Sequence, residues 1–365
     1  MTCLTGILPK PACRQILRSI AKNPGSILGY WPICIIIAIK YVQDGLKTLF
    51  MKFILLLLSV IVTVSVFSQT TESYYDFYWK PCSKENANYF SIVQKTDSGW
   101  LRKDYYYRSG QLQMDALYED EACKVQTGHC YYYHANGRPS SIGRRIHGKN
   151  DGICLSYHSN GMMSDSANFQ NGLVVDKRFR WHRNGYPSDS ISRLNDSLFV
   201  RVTWFDDGSP SSAGYMVNDQ LEGKWQYFHH NGQRAAMEVY NDGKLVGAEY
   251  FDESGKVNED TSGVNQEARF KGGEEAWRKY LEKNLYWPQR LEFKTAAAVT
   301  IGVDFVVDEN GKVIDAEVWM PFHEEYDKIA LKAIKNSPAW LPAISHNRKV
   351  KSYRRQPVTF TAQAQ

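Results

Sequence analysis

The chain has 365 residues, which is enough for two or three domains. Its formal net charge is only +5 and its basic residues are scattered, so no basic run follows a phosphate backbone and we expect no nucleic-acid partner. Tyrosine occurs 23 times, mostly between residues 104 and 257. Tyrosine suits half-buried strands, because its ring packs while its hydroxyl stays hydrated, and the composition therefore favours a mainly β protein.

An apolar run occupies residues 53–67, after Met51-Lys52 and before Ser68-Gln69. A positive start, a short apolar run and a small-residue exit are typical of a secretory signal peptide. The run of about 15 residues is also shorter than the roughly 20 that a membrane span needs. We therefore predict that residues 51–69 are a signal peptide and that the protein is exported to the periplasm of the cell envelope. An inner-membrane anchor at 53–67 is the alternative.

Residues 1–50 stand before this complete signal-peptide pattern, and we interpret them as a spurious upstream extension, with Met51 as the true start. The alternative makes residues 27–39 and 53–67 two membrane-inserted segments. Both runs are short for a span of roughly 20 residues, and the first contains Pro32, so we favour the extension.

Residues 70–103 carry aromatic residues among polar ones, and we expect this segment to cap a set of repeats at 104–257. Within the repeats, an aromatic residue is followed four positions later by glycine seven times, at intervals of 23 to 27 residues. An even period of that size is typical of stacked supersecondary units. The pairs are Tyr106/Gly110, Tyr133/Gly137, Tyr157/Gly161, Trp181/Gly185, Trp204/Gly208, Phe228/Gly232 and Phe251/Gly255.

Most of these glycines follow asparagine or aspartate, as at Asn136-Gly137. Such dipeptides supply the positive φ angles that tight hairpin turns need. Second turns, such as Asn171-Gly172, lie between the units. Each unit is therefore predicted to be strand, tight turn, strand, and the whole region an antiparallel β-hairpin repeat ribbon.

The best-formed unit runs from Gly223 to Gly232, with Trp225 and Phe228 between the two glycines. It resembles a MORN-variant repeat, the type also found in the YwqK family of antitoxins, whose pattern is roughly Gly-x-Trp-x-x-Tyr-x-x-x-Gly. The fourth and fifth units depart from that pattern, having Asp176 and Phe199 in place of the leading glycine. The resemblance implies an architecture rather than one function, because repeat ribbons host many roles.

Histidines recur three residues before the repeat glycines. Neighbours in this column would lie roughly 9.5 Å apart, too far to share one zinc ion with bonds near 2.1 Å. We therefore expect no metal site and interpret these histidines as solvated residues beside the turns. They are His134, His158, His182 and His229.

Export would leave four cysteines, at positions 82, 123, 130 and 154, in an oxidising compartment. Cys130 and Cys154 hold equivalent positions in successive units, roughly 9.5 Å apart, beyond the ~7 Å that a disulfide tolerates. Cys123 and Cys130 flank residues 124–129 and could face each other across a hairpin. We predict this pair as the candidate disulfide, with half-buried free thiols as the alternative.

Polar residues at 258–269 indicate a linker, after which the pattern changes. Helical spacing of apolar residues alternates here with runs of β-branched residues. Residues 270–361 are thus predicted to form a small α+β domain. In chain order we predict a helix, a hairpin, a second helix and a strand, at residues 276–285, 298–319, 326–334 and 355–361.

Several short motifs occur in a characteristic order in this region: Gly272-Gly273-Glu274, Trp287-Pro288, and residues 305–313, 330–333, 337–343 and 357–360. Together they resemble the C-terminal domain of TonB-family energy transducers. The resemblance implies a periplasmic domain that grips a segment of an outer-membrane transporter by adding it to an exposed edge strand. The partner contacts that it implies are Trp287, Pro288, Gln289, Ser352, Tyr353, Arg354, Arg355 and Gln356.

Transducers of that family also have an uncleaved membrane helix coupled to an inner-membrane motor, and a proline-rich spacer whose place is here taken by the ribbon. We predict a cell-envelope protein that binds an outer-membrane transporter or another envelope protein, with coupling to transmembrane transport through such a motor as a further implication. The alternative is a non-energised scaffold whose repeats bind proteins. No nucleophile–base set or phosphate loop is recognisable, so we expect neither an enzyme nor a cofactor.

Overall fold

The computed structural model describes residues 70–288 and 298–361. The predicted extension at 1–50, the signal peptide or anchor at 51–69, and Gln289 of the predicted partner site lie outside the described residues. Within them the protein is mainly β, with a long antiparallel sheet and few helices, as predicted.

One 16-stranded antiparallel sheet, called the ribbon below, occupies residues 70–250. Its strands follow one another in chain order, so almost every strand pairs with the one before it and the one after it. The strands are β1 (Thr70–Tyr75), β2 (Tyr89–Thr96), β3 (Gly99–Tyr106), β4 (Leu112–Tyr118), β5 (Gln126–Tyr133), β6 (Pro139–Ile146), β7 (Lys149–Asn150), β8 (Gly152–Tyr157), β9 (Met163–Gln170), β10 (Leu173–Trp181), β11 (Pro187–Arg193), β12 (Leu198–Trp204), β13 (Pro210–Val217), β14 (Gln220–Phe228), β15 (Arg234–Asn241) and β16 (Lys244–Tyr250).

Six of the seven turns at the repeat glycines share one geometry. At Gly137, whose φ is +81°, the glycine N–H donates to the His134 carbonyl, and the His134 N–H donates to the Arg138 carbonyl, both at 2.9 Å. A β-bulge between Tyr132 and Tyr133 precedes the turn and increases the local twist. The positive φ explains the glycine, and the predicted hairpins are confirmed. The same two hydrogen bonds recur at Gly161, Gly185, Gly208, Gly232 and Gly255.

The predicted cap at 70–103 supplies β1, β2 and most of β3. Aromatic rings pack across these strands: Phe90 stacks on Tyr105 with ring centroids 4.7 Å apart, and Tyr74 lies 6.3 Å from Phe90. The first three strands therefore extend the ribbon by the same pairing as the later ones.

Residues 270–361, called the C-terminal unit below, contain a three-stranded antiparallel sheet in the order β18-β17-β21 and a separate small hairpin, β19–β20. The order helix, hairpin, helix, strand agrees with the predicted order, and the small hairpin adds to it. The elements are α1 (Gly273–Asn284), β17 (Ala298–Val307), β18 (Val313–Met320), α2 (Glu324–Lys335), β19 (Ala343–Ser345), β20 (Arg348–Val350) and β21 (Ser352–Thr361).

The core of the C-terminal unit lies between its helices and one face of its sheet. Alternate residues of β17 point into this core because side chains in a strand alternate between faces. Tyr326 of α2, which is fully buried, packs edge-to-face on Phe360 of β21 with centroids 5.1 Å apart. The buried β17 residues are Val299, Ile301, Val303, Phe305 and Val307.

The predicted linker at 258–269 packs against both neighbours. Val264 is buried in a cluster with Trp225 and Tyr227 of the ribbon. Gln266 and Arg269 form antiparallel bridges with the C-terminal unit. This segment therefore joins the two parts rather than separating them.

The ribbon and the C-terminal unit belong to one compact body of the chain. Near the first strands, Tyr89 and Tyr106 form a buried cluster with Met320 of β18, while at the other end His346 contacts Glu238 of β15 at 2.9 Å. Laid flat, the ribbon would span roughly 65–70 Å, whereas about 90 residues make a body roughly 30 Å across. The ribbon must therefore curve around the unit, and the face that contacts it is called the inner face below.

Candidate functional site

The last strand, β21, lies at an edge of the three-stranded sheet, and its strand partner among the described residues is β17. Pro357 lies on this strand, opposite Gly302. Proline has no N–H, so it fits a position whose backbone nitrogen faces away from the neighbouring strand. Backbone groups alternate in direction along a strand, so the N–H groups of Tyr353 and Arg355 also face the free edge. This edge can therefore accept a further strand.

A groove of about 860 Å³ runs beside this free edge. Its rings come from both helical and loop segments of the C-terminal unit: Phe270 lies 5.1 Å from Trp277 and 5.5 Å from Trp340. On the strand side, the Trp277 indole Nε1 donates to the Gln356 side-chain oxygen at 3.1 Å, and the Arg354 guanidinium lies 5.9 Å from the Trp340 ring. The groove thus joins an apolar aromatic surface to a strand edge.

Tyr353 and Arg355 point to the opposite side of the strand, toward the ribbon. Arg355 binds Asp304 of β17 through two hydrogen bonds of 2.9 Å, and the Tyr353 hydroxyl donates to the same carboxylate. The hydrogen bonds with Asp304 raise the pKa of Arg355, and burial together with this carboxylate raises the pKa of Tyr353 to about 12. Both groups therefore keep their ordinary protonation state and brace β21 against β17.

The other predicted contact residues lie elsewhere. Trp287 is half-buried and packs edge-to-face on Tyr326 with centroids 5.3 Å apart, and Pro288 is buried. Tyr326 in turn contacts Phe360, which lies toward the opposite end of β21 from Ser352. The structure thus brings Arg354, Gln356 and Trp277 together at the groove, leaves Ser352 and Tyr353 outside its lining, and places Trp287 in the helical packing. Trp277 had no sequence signal beyond its place on the apolar face of α1.

The repeat histidines are half-buried or, for His229, buried, and each is hydrogen-bonded to the protein, so the prediction that they are solvated is wrong. Each side chain reaches the carbonyl of the aromatic residue in the next unit through Nε2, at 2.8–2.9 Å. A carbonyl only accepts, so Nε2 carries the hydrogen. Burial lowers the pKa of His158, which keeps that ring neutral. The tethers run from His134 to Tyr157, His158 to Trp181, His182 to Trp204 and His229 to Phe251.

The asparagines of the same turns form a second series of tethers. Each side-chain amide donates to a backbone carbonyl of the next turn, 22 or 23 residues later. The two series satisfy carbonyls that a turn would otherwise leave to water. The donors are Asn136, Asn160, Asn184 and Asn231.

Cys123 and Cys130 do not face each other across a hairpin. The predicted turn at 124–129 is mostly strand, since β5 begins at Gln126, and Cys130 pairs directly with Ala116 of β4. Cys123 lies in the preceding loop with a φ of +52°. All four cysteines among the described residues carry free thiols, and burial raises the pKa of the Cys130 thiol.

A larger cavity, about 1340 Å³, lies between the inner face and the C-terminal unit. Ion pairs cross it: Arg183 binds Glu317 of β18 at 2.9 Å, and Lys351 binds Asp206. Burial acts to raise the pKa of Glu317, but the Arg183 and Ser159 hydrogen bonds outweigh it and the pKa is lowered. In the described part of the chain, no group of three acidic, histidine or cysteine side chains is placed to hold a metal ion.

No helix in residues 70–288 and 298–361 has the length and hydropathy of a membrane span. The predicted anchor at 53–67 lies outside these residues.

The repeat geometry matches a known family at one place. Residues 221–242, which contain most of β14 and β15, match the MORN repeat variant. The MORN-variant part of the predicted resemblance is thereby confirmed for this repeat, while the resemblance of residues 270–361 to the TonB family stays a prediction. No curated protein matches the chain significantly.

Proposed function

We propose that the protein binds an extended segment of a partner by β-strand addition at the free edge of β21. The observation that carries this proposal is the place of β21 at the edge of its sheet, next to the aromatic groove. An added strand gains main-chain hydrogen bonds from the edge, and the groove supplies the side-chain pocket that gives specificity.

The partner in this proposal is an outer-membrane transporter or another envelope protein, and the binding takes place in the periplasm. This part rests on the resemblance of residues 270–361 to TonB-family domains and on the signal-peptide pattern at 51–69. Coupling to transmembrane transport through an inner-membrane motor is a further step of the same proposal. It requires an anchored N-terminus, which the intact mass of the envelope-fractionated protein would reveal.

A second candidate function is a scaffold that binds proteins through the ribbon. Apolar side chains are exposed on the middle strands: Ile153 is 67% and Leu173 70% accessible, and Phe179 is also exposed. Exposed apolar groups that lie close together often mark protein contacts.

Photo-crosslinking in living cells distinguishes the two candidates. A photoreactive amino acid at Gln356 samples the groove, and one at Ile153 samples the ribbon. Capture of an outer-membrane transporter at position 356 supports strand addition, whereas capture of a protein at position 153 alone supports the scaffold.

Replacement of Tyr353 by proline tests the edge directly. The full-length chain should bind a peptide that spans the crosslinked segment of the captured partner, and Tyr353→Pro should abolish the binding heat, because proline removes a donor from the free edge. Tyr353→Phe is the matched control, since it keeps the backbone donor and the ring. Equal affinity of the proline variant and the wild type would refute binding at this edge.

A further inference from the structure

The small hairpin β19–β20 ends in a turn that is inserted into the inner face of the ribbon. His346 and Asn347, the two turn residues, have φ values of +52° and +62°. A two-residue hairpin turn requires positive φ at both positions, which asparagine adopts readily and which costs histidine about 1 kcal/mol or more. Such a conformation persists where surrounding contacts hold it, and this turn has contacts on every residue.

His346 meets a buried carboxylate. Its Nδ1 lies 2.9 Å from both oxygens of Glu238, a β15 residue with 1% exposure, and its ring stacks on Tyr227 with centroids 3.6 Å apart. Glu238 also accepts hydrogen bonds from the hydroxyls of Tyr240 and Tyr250. A buried carboxylate is costly to leave without partners, so this contact joins the two parts of the molecule strongly.

The next two residues bind backbone of the ribbon. The Asn347 side chain donates to the Phe251 carbonyl at 2.9 Å. The Arg348 guanidinium donates to the carbonyls of Phe228, at 3.0 Å, and Ser211, and lies over the rings of Phe205 and Tyr227 at 5.3 Å from each centroid. Three backbone carbonyls thus converge on two consecutive residues of the C-terminal unit, next to His346 and its carboxylate.

The other polar contacts between the ribbon and the C-terminal unit are more exposed. The Arg183–Glu317 pair is about one-third exposed, and a cavity separates much of the two facing surfaces. The buried turn therefore concentrates the least exposed polar contacts at one end of the interface, while the contact at the other end, of Met320 with Tyr89 and Tyr106, is apolar.

We propose that the turn His346–Arg348 is a latch that holds the C-terminal unit on the inner face, and that breaking its contact with Glu238 releases the unit as a folded body. Release opens the cavity and separates Lys351, next to β21, from Asp206. This inference is independent of the proposed strand addition, since it concerns docking within the chain.

Acid releases the latch. Burial acts to raise the pKa of Glu238, but hydrogen bonds from His346 and the two tyrosines outweigh it, so the pKa lies below its usual value. The contact is therefore complete above that usual value and is lost as the pH falls through the lowered pKa. The other charged or titratable groups around this carboxylate, from β14, β15, β16 and β20, are Tyr227, Tyr240, Tyr250 and Arg348, and Arg201 of β12 lies beside Tyr227.

Hydrogen exchange on the exported full-length chain tests the latch. Glu238→Gln and His346→Ala should each raise exchange at residues 343–350 about tenfold or more, because a hydrogen bond to a charged group is lost. Small-angle scattering should show a larger radius of gyration, and the exchange of α1, α2 and β17 should stay unchanged. His230→Ala is the control, since its contact with Glu309 also joins the ribbon to the C-terminal unit but is more exposed than that of His346 with Glu238.

Lowering the pH distinguishes a latch, whose opening releases a folded unit, from a contact that only stabilises the ribbon. Wild-type protein titrated stepwise downward from about pH 7 should open at a pH below the usual carboxyl pKa of about 4.3, whereas Glu238→Gln should already be open and should change little. Unchanged exchange in both variants would overturn the proposal. So would exchange that rises throughout β13–β16 in His346→Ala, because that residue lies outside the ribbon and such a result would mean that the ribbon itself unfolds.

Discussion

Asp327, in the first turn of α2, shows how burial of a single carboxylate alters pH dependence. Burial raises its pKa to about 6, although the Phe322 N–H donates to it at 2.9 Å. The folded protein therefore binds this proton more tightly than the unfolded chain, and stability falls as the pH rises from about 4 to about 6.

We predict that Asp327→Asn makes the fall in the free energy of unfolding between these two pH values smaller by about 1–2 kcal/mol, after allowance for solvent screening. The asparagine oxygen still accepts from Phe322, so the turn is kept. The measurement is the free energy of unfolding by denaturant at pH 4 and pH 7, with Glu325→Gln, an exposed change in the same helix turn, as the control. A pH slope equal to that of the wild type would contradict the assignment.

At the scale of the element, the histidine tethers connect each hairpin to the next. We predict that His158→Ala lowers the free energy of unfolding by about 1–2 kcal/mol, because the Trp181 carbonyl loses its donor. His129→Ala, on an exposed position of β5, should change it by less than about 0.5 kcal/mol. Equal effects of the two changes would show that the tether carries no stability.

The hairpins could be predicted from the sequence because the signal is local. Gly137 and its equivalents need a positive φ within a four-residue turn, and the 23–27-residue period states where each turn lies. The tethers are not local: His158 finds its acceptor 23 residues later, at a distance that only the curvature and twist of the ribbon determine. The same holds for Glu238, whose partner His346 is 108 residues away. The one sequence signal for Glu238 is that an acidic residue shares a strand face with Ala236 and Tyr240, which alternate with residues of the other face.

At the scale of the whole molecule, ion pairs couple the middle of the ribbon to the C-terminal unit. The Arg183 guanidinium binds Glu317 through contacts of 2.9 and 3.2 Å. We predict a coupling free energy of about 0.5–1 kcal/mol in a double-mutant cycle of Arg183→Ala and Glu317→Gln, because the pair is partly exposed. Thermal or denaturant unfolding measures it. Additive effects of the two changes would show that this ion pair does not couple the stability of the ribbon to that of the C-terminal unit.

The contacts of the C-terminal unit with both ends of the ribbon limit the number of repeats. A repeat array can usually gain or lose a unit with little effect, because each unit touches only its neighbours. Here Met320 lies against the first strands and His346 against the last, so one more hairpin would shift one end by roughly 9.5 Å relative to the other. One of these two contacts would then be broken. The length of the C-terminal unit therefore fixes the number of hairpins that the ribbon can contain while both contacts are kept.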